Sequence, residues 1–572
     1  MLATVVSLKY YQTTERDRAG RIADAERLLA QLENTLDPAL FEARHQTLHK
    51  LVADLGHPKA SAAWLRYLAL RSLLTGKIPS ELKAALDGST VSEANQSSVA
   101  LARMVQQLAA GRFDAAGRTL SRSDGAAEQD ALFQAAAGLV LERAEPAAAI
   151  RRYEKALALN PNLGVAVLYL ARLSLWTGNL EEAREVLTAR RGKWAKDPRF
   201  KALEAMMWLT DLDNVTSPPA SIRLDGQRAE QLPPTLDFVP LWLDVRAARG
   251  TSVRETACAV AAGSISSPHP RVALFWLAEQ ALQAHCIDAA RTAAARLLTV
   301  SNDDARATQL FVLAELAEGR VDKAERRVAS VSDAKSWKSV LAAIRAYEQG
   351  DVTDIQQAEA STIDPKALAA VQTFASVLEQ GGPSDEGAIS SLARPTCAWG
   401  ELVSVDAALN HGKLELAERL VSMWPNNYQS PAHLLRLSRL RRYQGKTAEA
   451  VNLSEAAAYG NPTRPSLTER ALSLLQNGDD GLATELVVQN AKHLGAMAPW
   501  LGALVTAKSA QRVARRQLER IDLPSAGAPL GQRLVAAIAL SMAGDPRARG
   551  WVLRTAGTCP GHPDLVATGW LD

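Results

Sequence analysis

The chain reads as an all-α protein, an α-α superhelix of about fourteen antiparallel helix pairs. Three observations predict it. A glycine is followed five residues later by an alanine at Gly20/Ala25, Gly111/Ala116, Gly178/Ala183, Gly319/Ala324, Gly412/Ala417, Gly445/Ala450 and Gly478/Ala483. A second column of small residues lies seven positions before turns of this kind: Ala137, Ala171, Ala278, Ala343, Ala375, Ser438, Ala471 and Ala537. Between turns, apolar residues recur at three- and four-residue spacing, as in residues 164–177, and no segment alternates convincingly as a strand would.

The columns hold phase. Gly111 to Gly178 is 67 residues, Gly412 to Gly445 is 33, Gly445 to Gly478 is 33, and Gly544 lies 66 further on. Intermediate turns fall where that phase puts them, at Ala144, His285, Gly350 and Gly382. The cause is steric. Two helices joined by a short loop approach closely beside the loop, where a branched side chain would push them apart. A glycine between them takes the left-handed backbone that ends the first helix.

Residues 130–163 resemble a tetratricopeptide repeat, with Phe133 early in the first helix, Ala137 at the small site, then Ala149, Tyr153, Ala156 and Pro161. Residues 164–197 follow with Ala171, Gly178, Asn179 and Ala183, and a late closing Pro198. Elsewhere the likeness is one of phase: Asp364-Pro365 is like the end of a repeat, while Gly387 and Ile355 replace the second-helix alanine. The resemblance implies a non-catalytic scaffold, in a bacterial-type complex, that binds a protein or extended peptide along a groove lined by first helices.

The phase divides the chain. Residues 1–94 are an irregular helical region: Ser7–Arg18 and Arg21–Leu36 as a pair closed by Pro38, a helix from Ala39 to Leu55, and one carrying Trp64, Tyr67 and Leu70 that ends near Gly76. Residues 95–212 are a repeat region, with three good repeats over 95–197. The stretch 213–236, with Pro218, Pro219, Pro233 and Pro234, breaks the phase as an insertion or linker, and residues 237–572 resume the repeats through a C-terminal cap. Trp176, Trp208, Trp242 and Trp276 recur at intervals of 32, 34 and 34 residues, which reads as core between repeats.

Composition narrows the function. Sixty-five Lys and Arg against sixty-two Asp and Glu is near balance, which argues against neutralising many phosphates, so no nucleic-acid partner is expected. No window approaches the ~20 apolar residues a membrane span requires. The apolar start, MLATVVSLKYYQ, reads as a face of the first helix, or alternatively as the stub of a removed anchor. Cys258, Cys286, Cys397 and Cys559 form no CxxC pair and read as buried thiols of a reducing compartment. Cytoplasm is the default, and periplasm the alternative if the start is an anchor stub.

No catalytic, cofactor or metal site emerges. His45 and His49 stand at i, i+4, but no Glu follows His45 to complete HExxH. Cys559 and His562 make half a zinc site with no second half nearby. Gly445-Lys446-Thr447 is like the end of a phosphate-binding loop, yet the glycine required five residues earlier is Leu440. Cys258 with His269 or His285 is a nucleophile–base pair only by proximity in sequence.

The candidate site is for protein. Counting back from the turns, one stripe of the first helices holds Arg172 and Trp176 before Gly178, Asp406 and Asn410 before Gly412, and Leu435, Arg439, Arg442 and Tyr443 before Gly445. Arginine forks beside flat aromatic rings are the mix found at binding hot spots. The expected occupant is an acidic or carboxylate-bearing segment across Arg439, Arg442 and Tyr443; a solvated basic face explains the same residues. Two other functions fit the composition less well: the regulatory or substrate-binding part of a larger enzyme or membrane-anchored envelope complex, and a helical-repeat nucleic-acid binder.

Overall fold

In the computed structural model the backbone is described for residues 2–210 and 271–569, apart from short stretches at 53–54, 90–91, 93–94, 124, 126, 331–334, 363–364, 394–398, 423 and 425–429, with a few positions between 239 and 265. The stretch 213–236 and Trp242 lie outside the described residues. The described elements are all helical. Two compact units are present: Met1–Ala248 with Ala257–Gln280, and Arg249–Thr256 with Ala281–Asp572.

In the first unit, the pairs Gln96–Ala109 with Phe113–Ser121, Ala131–Leu141 with Pro146–Leu159, and Gly164–Thr177 with Leu180–Trp194 are the three regular repeats. The alanines five after the turns are buried throughout: Ala116, Ala149, Ala183, Ala290, Ala324, Ala417, Ala450 and Ala483 are all fully covered. The turn glycines Gly111, Gly178, Gly319, Gly412, Gly445, Gly478 and Gly544 have φ between 63° and 91°. His285, where the phase required a turn and the sequence offers no glycine, adopts φ 59°. Its Nδ1 lies 2.9 Å from Glu401, a contact that helps hold this strained position.

Two expectations fail. Gly20 does not end a helix: Leu2–Glu33 is one helix of 32 residues, not the pair Ser7–Arg18 and Arg21–Leu36. A mid-helix glycine costs only about 1 kcal/mol against alanine. Five residues on, Ala25 is buried because the long helix packs on Pro38–Val52 and Pro58–Thr75. The cysteines are not all thiols either: Cys258 and Cys286 are disulfide-bonded, whereas Cys559 is free and buried. The lack of a CxxC spacing does not decide whether a cysteine is oxidised.

In the second unit the first helices close on themselves. Pro365–Gln380, Gly400–Asn410, Pro431–Tyr443, Arg464–Asn477, Ala498–Ser509 and Leu530–Met542 each pack on the next, and the last returns to the first. The closure is sealed by residues after the final pair. The Cys559 thiol donates to the Gln380 carbonyl at 3.2 Å. A Cβ on Gly412 would fall 2.1 Å from the Gly561 carbonyl oxygen, so the two loops meet only because both positions are glycine.

A cavity on the inner face of the second unit

The Pro431–Tyr443 helix begins at Ser430, whose hydroxyl accepts from the His433 amide, with Pro431 in the first turn. It then places Arg436, Arg439 and Arg442 toward the inside of the unit, where Arg436 and Arg442 are buried. Buried guanidinium groups persist only when carboxylates meet them. Asp406, one repeat earlier, accepts from Arg436 Nε at 3.0 Å and Nη2 at 2.7 Å, and from Arg439 Nη1 at 2.8 Å. Arg439 Nη2 also donates to the Asn410 side-chain oxygen at 3.0 Å, and the Tyr347 hydroxyl donates to Asp406 at 2.8 Å.

Arg442 faces the other way along the array. It donates to Glu469, one repeat later, at 2.9 and 3.2 Å. It also grips Asp564 with both terminal nitrogens, at 2.7 and 3.2 Å. The Tyr443 hydroxyl donates to the same Asp564 carboxylate at 3.0 Å, and the His562 ring stands edge-on to Tyr443 at 5.8 Å. Burial alone would raise the Asp564 pKa; Arg442 and Tyr443 override it and hold the carboxyl well below the usual range. Burial pushes His562 down to about 3, so its ring is neutral at physiological pH. The carboxylate that meets Arg442 and Tyr443 is Asp564, from the chain's own C-terminal segment.

These residues line a cavity of about 170 Å³ inside the unit. Asp406, Asn410, Leu435, Arg439, Arg442 and Tyr443 all border it, so six of the eight residues singled out in the sequence come together. Its apolar wall comes from Leu378, Leu472, Leu534 and Ile538 on neighbouring first helices and from Met497 in the turn before Ala498–Ser509. The arrangement offers an apolar pocket rimmed by fixed charges, and no nucleophile–base pair is evident among the lining residues.

Arg172 and Trp176 lie apart from this cavity: both belong to the first unit and are buried, at 4% and 2% exposure. Arg172 pairs with Glu142, and its guanidinium carbon lies 4.7 Å from the ring centroids of both Tyr169 and Trp176. The Tyr153 hydroxyl donates to the same Glu142 at 2.5 Å. The stripe here is packed shut.

Sequence reasoning missed Glu469 and Asp564. Glu469 was within reach: it lies 33 residues after Arg436, at the same place nine before its turn glycine. Asp564 was not, since its 122-residue separation from Arg442 arises only when the array closes. Of the other chemical candidates, His45 and His49 both meet Trp64, tilted and edge-on, at 5.3 and 5.1 Å between ring centroids. Among the described residues no group of three or more His, Cys, Asp or Glu is placed to hold a metal ion, and no described helix is long and apolar enough to cross a membrane.

A tetratricopeptide-repeat family model matches residues 140–207. No curated protein matches. Among solved structures, the chain is similar to one from the anaphase-promoting complex hetero-tetramer of Cut9 and Hcn1, at 12% identity over 89% of this chain and 95% of that one, with a TM-score of 0.31. A second is from Naa15/Naa10 bound to HypK-THB, at 10% identity over 96% and 95%, with a TM-score of 0.16. The chain carries tetratricopeptide-repeat sequence at residues 140–207, within an all-α fold of paired helices.

Proposed function

We propose that the chain is a non-catalytic interaction scaffold, and that a partner protein or extended peptide docks on the inner face of the second unit. The observation that carries this reading is the cavity bordered by residues from successive first helices. Leu435 supplies apolar contact, Tyr443 a flat ring, and Arg439 a donor fork held in place by Asp406 and Asn410. Preorganised arginine and aromatic groups around an apolar pocket are the usual anchors of an interface.

Arg439 is the residue to test, because its side chain is 19% exposed while Arg442 is committed to Glu469 and Asp564. The tagged protein is captured from its native cells, the partner identified and purified, and the dissociation constant measured for the parent and Arg439→Gln. A site of this kind loses about 2 kcal/mol, close to thirtyfold in affinity. An unchanged dissociation constant, with the melting curve also unchanged, would return Arg439 to a structural role.

The disulfide-bonded state of Cys258 and Cys286 favours a second statement, on compartment. Disulfides persist where the surroundings are oxidising, which supports a place in a bacterial envelope complex over the cytoplasm. Alkylation of the protein in native cells checks this: both cysteines should resist labelling until a reductant is added.

A further inference from the structure

The cavity lining holds four basic residues, Arg436, Arg439, Arg442 and Arg464, and four acidic ones, Glu348, Asp406, Glu469 and Asp564. Six of these eight are matched to one another: Arg436 and Arg439 with Asp406, and Arg442 with Glu469 and Asp564. An acidic segment would therefore meet arginines that already hold carboxylates.

Glu348 and Arg464 are left over. The Glu348 side chain is only 10% exposed, and among the described contacts it accepts no hydrogen bond. Its nearest cation is Arg345, 3.7 Å away and occupied by Glu325 and Asp322. Burial raises the Glu348 pKa against the opposing charges of Arg436 and Arg345, of which Arg436 forms its ion pair with Asp406 and only Arg345 comes within ion-pair distance of Glu348. Arg464 donates one terminal nitrogen to the Gly350 carbonyl at 3.3 Å, and its Nε is buried with no acceptor. No ion pair joins Glu348 to Arg464, although both border the cavity.

We propose that the segment received here is charge-balanced: one apolar side chain enters the cavity, flanked by a basic residue that meets Glu348 and an acidic residue that meets Arg464. The inference rests on the peptide-docking reading above and specifies its ligand. Size supports the anchor. A cavity of about 150 Å³ holds benzene, so the volume here suits the side chain of one leucine, isoleucine, methionine or phenylalanine. Charge supports the flanks, because a segment bearing only one sign would leave either Glu348 or Arg464 desolvated and unmatched.

The test is selection of a random twelve-residue phage-displayed peptide library on the purified full chain, followed by synthesis of the enriched peptide. The expected consensus is an apolar residue with one basic and one acidic neighbour. Glu348→Gln should weaken that peptide about tenfold yet leave unchanged the binding of its analogue with the basic residue replaced by alanine. Arg464→Gln should do the same with respect to the acidic residue. Both variants are required to keep the parent melting temperature; if Glu348→Gln does not fold, Arg464→Gln and the two alanine peptides still decide. Enriched peptides that are uniformly acidic, or affinities insensitive to both variants, would overturn the charge-balanced ligand while leaving peptide docking intact. Absence of any enriched peptide would overturn docking itself.

Discussion

Arg172 with Trp176 and Arg439 with Tyr443 stand at the same places in their repeats, six and two residues before Gly178 and Gly445. In the first unit the arginine lies between two aromatic rings and against Glu142, and the space is filled. In the second, the arginine spans Asp406 and Asn410, and its neighbours border a cavity. Repeat position sets which helix face a residue occupies. Whether that face is packed or open depends on the volume of the residues opposite and on where the array goes next. Large rings close the first site, while closure of the second unit on itself encloses an interior that its side chains do not fill.

The largest effects should come from breaking the buried pairs. Arg442→Ala strands the Glu469 and Asp564 carboxylates, and Arg172→Ala strands Glu142, each at a cost of roughly 3–5 kcal/mol. Because repeats couple mainly to neighbours, hydrogen exchange should locate each loss. Arg172→Ala should deprotect residues around 131–194, and Arg442→Ala those around 400–477 together with the last turn near Asp564. Deprotection of the whole chain by either variant would show that the units unfold together.

Acid should act next, and on the second unit. His433 and His562 are both buried there, and burial lowers each to about 3. A depressed pKa gives stability that is present above the unfolded value near 6.5 and lost as pH falls toward 3, at about 1.4 kcal/mol per pH unit for each histidine. Urea titrations at pH 7, 6 and 5 should show the loss. His562→Gln should reduce its slope by about half, and an unaltered slope would mean that His562 is protonated in the fold.

Smaller effects are expected at the small-residue columns. Ala183→Leu in the first unit and Ala450→Leu in the second replace fully covered alanines, and overpacking there should cost about 1–3 kcal/mol and make melting less cooperative. Equal costs would show that the shared phase acts alike in both units; parental melting of both variants would contradict the phase. Smallest of all, His49→Ala removes an exposed edge contact with Trp64 and should change stability by under about 1 kcal/mol, checked by thermal melting.

The fold was legible because its signals are local. A glycine turn with alanines five after and seven before describes one helix pair, and the pair repeats. Gly20 misled because a lone Gly-to-Ala match is cheap in an alanine-rich sequence, and nothing local separates a tolerated helical glycine from a turn. The site was half legible. The stripe of Asp406, Asn410, Arg439 and Tyr443 follows from phase, but burial of Arg172 depends on Tyr169 and Glu142, and the occupant of Arg442 comes from 122 residues away. Contacts made by closure leave no periodic trace.

The claim that the second unit's inner face receives the partner, and the first unit's equivalent stripe does not, is tested most directly by photo-crosslinking. p-Benzoylphenylalanine is placed at Tyr443 in one protein and at Trp176 in another, each is irradiated in native cells, and adducts are mapped by mass spectrometry. A partner peptide attached at position 443, with only intramolecular products at 176, is the predicted result. A partner attached at 176, or none at 443 while the chain still co-purifies with its partner, would contradict it.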